Sequence, residues 1–280
     1  MADKLDRLAA TLVAELSAAQ AKRELRRLAS ALRDGDTAYH ALDAPEISDA
    51  TYDALKQRHR EIETRYPQLK RPDSPSESIG ATPRDGFAKV THAARMLSLA
   101  NAFDAGDVAD FDASIRKFLG LESDVITYTA EPKIDGLSLS LRYESGQLVQ
   151  AATRGDGVVG ENVTENAMTI ADIPKQLVGA PDLLEVRGEV YMRHAEFADL
   201  NARQQASGGK PFVNPRNTAA GALRQIDPKV TATRPLRFFA YGWGVVSEPL
   251  ADTQMGAIAR LQKLGFKIRS LTARSEEHKS

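Results

Sequence analysis

Residues 71–86, Arg-Pro-Asp-Ser-Pro-Ser-Glu-Ser-Ile-Gly-Ala-Thr-Pro-Arg-Asp-Gly, separate two hydrophobic patterns, and any fold for this chain has to respect that break. Three prolines, three serines and two glycines make the segment a linker by composition. Before it, apolar side chains recur at helical spacing: Leu5, Leu8, Leu12 and Leu16, then Leu25, Leu28 and Leu32. This predicts an amphipathic helix or helix pair over 3–33, closed by Asp34-Gly35-Asp36 as a C-terminal turn. A second helix is expected from a cap at Ser48-Asp49 through Tyr52, Leu55 and Ile62, stopping near Tyr66-Pro67.

After the break, Asp107–Leu119 reads as one more helix. Short apolar or alternating runs then follow at Val125–Ala130, Leu137–Tyr143, Leu148–Thr153, Leu183–Met192 and Leu236–Val246. Glu144-Ser145-Gly146-Gln147 reads as a hairpin turn. Helical stretches interrupt at Asn162–Ala171, His194–Ser207 and Thr218–Gln225. The expected fold class is α+β: a small all-helical module over 1–70, the linker 71–86, and an antiparallel-sheet domain over 87–280.

The 280 residues suit about two domains and a real core without covalent staples. The chain has no cysteine, which excludes a disulfide scaffold, a thiolate metal site and a thiol nucleophile. It holds no signal-like leader and no apolar run of about 20 residues, so a soluble, cytoplasmic protein is expected. The net charge of −1 conceals an asymmetry. Residues 101–200 carry 8 bases and 18 acids, whereas residues 201–280 carry 13 bases and 5 acids. The basic end is either a solvated face or a surface that meets a polyanion.

Several motifs bear on chemistry. Gly155-Asp156-Gly157-Val158-Val159-Gly160 matches the dinucleotide fingerprint G-x-G-x-x-G literally. The strand before it belongs to a hairpin, however, not to a βαβ unit. A ligand-free glycine turn and a phosphate-proximal turn of another fold stay open, the latter favoured by Arg154. Ser207-Gly208-Gly209-Lys210-Pro211 lacks P-loop spacing, and the five histidines show no metal spacing. Glu131-Pro132-Lys133-Ile134-Asp135-Gly136 places a lysine two residues before Asp-Gly, between two strand-like runs. Alone, this could be an exposed turn lysine. Yet the strand Glu185-Val186-Arg187-Gly188-Glu189-Val190 sets charges at 185, 187 and 189 on one face, a pattern that suits a polar cleft.

These blocks together resemble the N-terminal part of bacterial NAD-dependent DNA ligases, over about Ala38 to Phe266. Tyr39-His40 and Asp49-Ala50-Thr51-Tyr52-Asp53 resemble the family's helical module for nicotinamide mononucleotide, and Met96-Leu97-Ser98-Leu99 its adenine-side loop. Glu131–Gly136 resembles nucleotidyltransferase motif I, with Lys133 the nucleophile. Thr153–Gly157 with Gly160-Glu161 resembles the ribose and pyrophosphate block, and Glu185–Met192 the motif carrying Glu189. The blocks Asn214–Gln225 and Arg234–Gly242 follow in order, with Arg216 and Arg224 implied to face DNA or phosphate.

The resemblance implies an ATP-grasp-like adenylation domain with no Rossmann unit. It implies transfer of AMP from NAD to Lys133, then to a 5′-phosphate at a nick in double-stranded DNA, then sealing by the 3′-hydroxyl. Only a neutral amine attacks, and about 0.04% of an unperturbed lysine is neutral at pH 7, so cations or desolvation must help. Arg154 would supply that help and steady the phosphate, Glu131 would orient adenine, and Glu189 the ribose, with Glu189 a partner for Mg2+ (Mn2+ as a substitute). Tyr39, Tyr52, Asp49 and Asp53 suit a cationic nicotinamide ring. No metal ligated directly by a protein cluster is expected, and the partners are nicked DNA and NAD, with a monomer and no membrane.

Ala100 and Met168 depart from the family pattern, which usually has an acid and an arginine there. After Phe266 no block with Asp-Gly and two further lysines follows, and the four-cysteine zinc site of the full-length family is absent. Ser275–Ser280 reads as an exposed end. The expectation is a C-terminally truncated ligase. The alternative is a truncated, non-catalytic paralogue or fragment that binds NAD, nucleotide or DNA without sealing.

Overall fold

The structure is a computed structural model. It describes residues 11–40, 49–71, 74–75, 86–98, 101–122, 125–268 and 273–275, and for 35–40, 49–50, 53 and 273–275 the backbone alone. Leu5 and Leu8, Ser48, most of the 71–86 segment, and 276–280 of the tail lie outside the described residues.

After a single 3-10 turn at Val13–Glu15, helix α1 spans Ala18–His40 and α2 spans Asp49–Arg65. Leu16, Ala21, Leu25, Leu28 and Ile62 form their shared core, with Leu55, Tyr66 and Leu69 packed at its margin. The helical spacing of the leucines dictates this face. Glu24 is fully buried, but Arg27 Nη2 and Arg58 Nε approach its carboxylate to 2.9 and 3.0 Å. Burial works against that charge, and hydrogen bonds from the two arginines outweigh it, so the carboxyl sits below its ordinary range. One expectation fails here. Asp34-Gly35-Asp36 does not end α1, which continues to His40. A glycine costs a helix only about 1 kcal/mol relative to alanine, so it does not by itself stop one.

Beyond the linker, α3 (Ala105–Leu119) begins at the Asp104 cap and ends at Gly120, in the left-handed region. A four-stranded antiparallel sheet forms the heart of the remainder, in the order β4 (Gln147–Thr153), β3 (Leu137–Glu144), β6 (Leu183–Tyr191), β7 (Arg237–Val246). Ser145 and Gly146, both with positive φ, make the two-residue turn of the β3–β4 hairpin where the sequence placed it. Two short ladders flank the sheet: β1 (Lys89–Thr91) pairs with β5 (Val159–Glu161), and β2 (Tyr128–Ala130) pairs with β8 (Ala273–Ser275). Ser275, expected in a loose tail, is therefore the last residue of a strand.

The period of two gives the sheet one dry and one polar face. Leu139, Leu141, Tyr143, Leu184, Val186, Val190, Phe238 and Ala240 point into the core. They pack on α4 (Thr164–Ala167), α6 (Pro215–Leu223) and α8 (Gln254–Lys263) through Ala167, Ala219, Leu223, Ile258 and Leu261. Between these helices run α5 (His194–Ala206) and α7 (Pro228–Ala232). The helix expected over Asn162–Ala171 shrinks to a single turn at α4. That expected at Thr218 starts instead at Pro215, because the Asn214 side chain accepts from the Arg216 and Asn217 amides. Helix α8 is additional to the expected elements; Thr253 caps it and Ala257, Ile258, Leu261 and Leu264 form its buried stripe.

Gly188 in β6 has no room for a side chain: a Cβ there would collide with the Phe238 ring and the Phe239 carbonyl. Gly188→Val is expected to destabilise the domain by about 2 kcal/mol or more, seen as a lowered thermal midpoint. A midpoint equal to the parent's would contradict this packing.

Candidate functional site

The polar face of the sheet carries the site. Loop 131–136 leads from β2 into β3 and presents Glu131, Lys133 and Asp135. Its last residue must be glycine, since a Cβ on Gly136 would strike the Val190 carbonyl. Ser138 and Ser140 of β3 lie opposite Glu189 and Arg187 of β6, on the side away from the core. Glu189 is 8% exposed and accepts a hydrogen bond from Ser138 Oγ at 3.0 Å. Burial pushes its carboxyl above the ordinary range, against the hydrogen bond from Ser138 and the charges of Arg216, Lys133 and Arg154. The charges of three cations thus act on one buried acid. Arg216 also reaches Asp135 at 3.2 Å.

Tyr241 of β7 joins the same cluster. Burial raises its phenol, as does the charge of Glu189, and Ser138, Arg187 and Arg154 act in the opposite sense. Glu131 is likewise raised by partial burial. The glycine fingerprint is a turn between β4 and β5. Gly155 and Gly157 take positive φ, and a Cβ on Gly155 would meet the Val159 carbonyl. Asp156 Oδ1 accepts from the Val159 and Val158 amides at 2.7 and 2.8 Å, which holds its carboxyl low. The turn delivers Arg154, whose Nη1 donates to Ser98 Oγ at 3.3 Å.

Sequence reasoning named Lys133, Arg154, Glu189 and Arg216, and the fold gathers them in one field. Ser98 joins through Arg154, while Leu99 lies outside the described residues. Arg224 stands apart. Its side chain is 9% exposed and forms an ion pair of 2.8 Å with the buried Glu161. Thr51 and Tyr52 lie on α2, where Lys56 Nζ sits 5.9 Å from the Tyr52 ring centre. Tyr39 and His40 close α1, and Asp49, Ala50 and Asp53 open α2, with their side chains outside the described ones. The structure adds Asp135, Ser138 and Tyr241. Alternation along β3 and β7 was the available signal for Ser138 and Tyr241, which share the face of the charged residues of β6.

A lysine and two arginines whose charges act on one buried carboxyl suit a phosphate-bearing substrate open to nucleophilic attack. The family model for the NAD-dependent DNA ligase adenylation domain matches residues 84–280. That for a DNA ligase-like, N-terminal NAD+-binding domain matches residues 18–80. The chain belongs to the NAD-dependent DNA ligase family. It is similar to the DNA ligase of Ruegeria pomeroyi, 68% identical over 260 residues, which is 92% of this chain and 35% of that protein. The DNA ligase of Dinoroseobacter shibae is 64% identical over 265 residues, 94% of this chain and 36% of that protein. That of a Jannaschia species is 63% identical over 268 residues, 95% of this chain and 36% of that protein. The chain thus spans about a third of the length of these curated relatives. Among the described residues no helix is long and apolar enough to cross a membrane.

The raised carboxyl of Glu189 has a consequence for stability. A buried acid that binds its proton more tightly when folded disfavours folding as pH climbs past its unfolded value toward its folded one. Glu189→Gln is therefore expected to melt at or above the parent at pH 7, and the gap to close as pH falls toward 4. A variant less stable than the parent at pH 7 would contradict the desolvated carboxylate.

Proposed function

We propose that this chain carries the NAD-binding and self-adenylylating part of a ligase that seals nicks in double-stranded DNA. The observation that supports it is the polar face of the sheet, where the buried Glu189 is held by Ser138 and feels the charges of Arg216, Lys133 and Arg154. In the proposed step, Lys133 Nζ sheds a proton to solvent and its lone pair forms a bond to the α-phosphorus of NAD. The bond from that phosphorus to the bridging oxygen breaks, and nicotinamide mononucleotide leaves with the electron pair. Arg154 meets the charge that grows on the phosphoryl oxygens. Glu189 orients the ribose, with Ser138 holding the carboxyl, and Glu131 with Ser98 and Leu99 takes the adenine side. AMP then passes to the 5′-phosphate of the nick, and the 3′-hydroxyl displaces it.

The nicotinamide half falls to the helical pair, through Tyr39, His40, Asp49, Ala50, Thr51, Tyr52 and Asp53. Aromatic faces and carboxylates both attract its cationic ring. Arg216, about a third exposed, is placed for a DNA or nucleotide phosphate. Arg224 would reach one only by leaving Glu161. Among the described residues no three acidic or histidine side chains converge as a metal cage. Glu189 as a lone carboxylate fits Mg2+, or Mn2+, that arrives on substrate phosphates and keeps most of its water. Such an ion would neutralise phosphate charge. A cytoplasmic monomer completes the proposal, with the helical module, linker and adenylation domain divided at 1–70, 71–86 and 87–280.

The test is intact-mass measurement after incubation with NAD and Mg2+. The expected result is a gain of one AMP that is absent in Lys133→Ala. No gain in the parent, with NAD binding retained in calorimetry, would replace this reading with a binding-only one.

A further inference from the structure

The polar face of β6 carries a third charge that the proposed reaction leaves unused. Arg187 is mostly buried, with 15% of its side chain exposed, and its contacts go to the protein itself. Its Nη1 donates to the Arg95 carbonyl at 3.0 Å and its Nη2 to the Ala94 carbonyl at 2.6 Å. Behind it, Nε and Nη2 donate to Glu185 Oε1 at 3.0 and 2.9 Å. Glu185 is buried in turn and accepts from Ser140 Oγ at 2.9 Å. The chain of contacts runs from the centre of the sheet, through two buried charges, to a segment that has no secondary structure of its own.

That segment, residues 92–98, lies along the edge of the site. His92 N and Met96 N donate to the Val158 and Gly157 carbonyls at 2.9 Å each. The His92 ring lies 3.1 and 3.2 Å from the Thr153 and Arg154 carbonyls. Ser98 accepts from Arg154. The segment is therefore pinned on one side by the glycine turn and on the other by Arg187 alone among the described side chains of β6. A guanidinium suits that task, since its planar fork can satisfy two successive carbonyls and a carboxylate together.

We infer that Arg187, braced by Glu185, is a positioning residue that fixes residues 94–98 so that Ser98 and Arg154 meet the adenosine half of the nucleotide already arranged. This rests on the proposed reading of the cleft as the AMP site. An unpinned segment would have to be ordered on binding, and that cost would fall on the AMP half of NAD only. Lysine has the charge but not the fork, so it should restore the function in part.

Calorimetry on the chain with AMP and with nicotinamide mononucleotide as separate probes tests this. Arg187→Ala is expected to weaken AMP binding about tenfold or more, at unchanged stoichiometry, and to leave nicotinamide mononucleotide binding within about twofold. Arg187→Lys should fall between parent and Ala, and amide hydrogen exchange should quicken in 94–98. Unchanged AMP affinity in Arg187→Ala would overturn the inference. So would equal loss for both probes, or a lowered stoichiometry at parental affinity, each of which marks a merely structural residue. Should the Ala variant fail to fold, Arg187→Lys decides alone, and parental AMP affinity there would overturn it. A parent that binds no AMP sinks the proposed function itself, a distinct outcome.

Discussion

In β6, Leu184, Val186 and Val190 are sealed in the core while Glu185, Arg187 and Glu189, their immediate neighbours, carry charge on the opposite side. Neither acid has much water, so each needs partners from the protein. Glu185 finds Arg187 and Ser140; Glu189 finds Ser138 and the field of Lys133, Arg154 and Arg216. Losing one partner of a buried charge is costly, which ties the loop of Lys133, the turn of Arg154 and the helix of Arg216 to one strand. The glycines at 136 and 188 allow the close approach that this arrangement requires.

Desolvation and cationic surroundings pull Glu189 in opposite directions, and desolvation wins. The site thus sets the charges of Arg216, Lys133 and Arg154 against a carboxyl reluctant to ionise. Such cations suit an entering polyphosphate. The same acid that binds the ribose in the proposed reaction is therefore one that the fold carries at some expense to its own stability.

Much of this was legible in the sequence for a physical reason. The five runs read as strands rest on alternation, and the β3–β4 turn on Ser145-Gly146, which permits positive φ. The charges at 185, 187 and 189, spaced by two, mark the polar face in the sequence itself. What escaped notice was set by tertiary structure. The Asp34-Gly35-Asp36 stop did not hold, because one glycine is a weak helix breaker and α1 runs on to His40. Ladders of three residues, such as Lys89–Thr91 with Val159–Glu161, are too short to show a period. That Arg224 would turn inward to Glu161 could not be read from its place in a basic stretch. Nor could the use of Arg187 as a brace, since its carbonyl partners at 94 and 95 lie more than ninety residues away.

The central claim is that one nucleotide spans the polar face of this sheet, bounded by residues 94–98, 131–138, 154–160 and 187–190. Amide hydrogen exchange with and without NAD tests it most directly. Slowed exchange concentrated in those four segments, with the core-facing helices α6 and α8 unchanged, is the predicted result. Protection elsewhere, with those segments unaffected at saturating NAD, would contradict it.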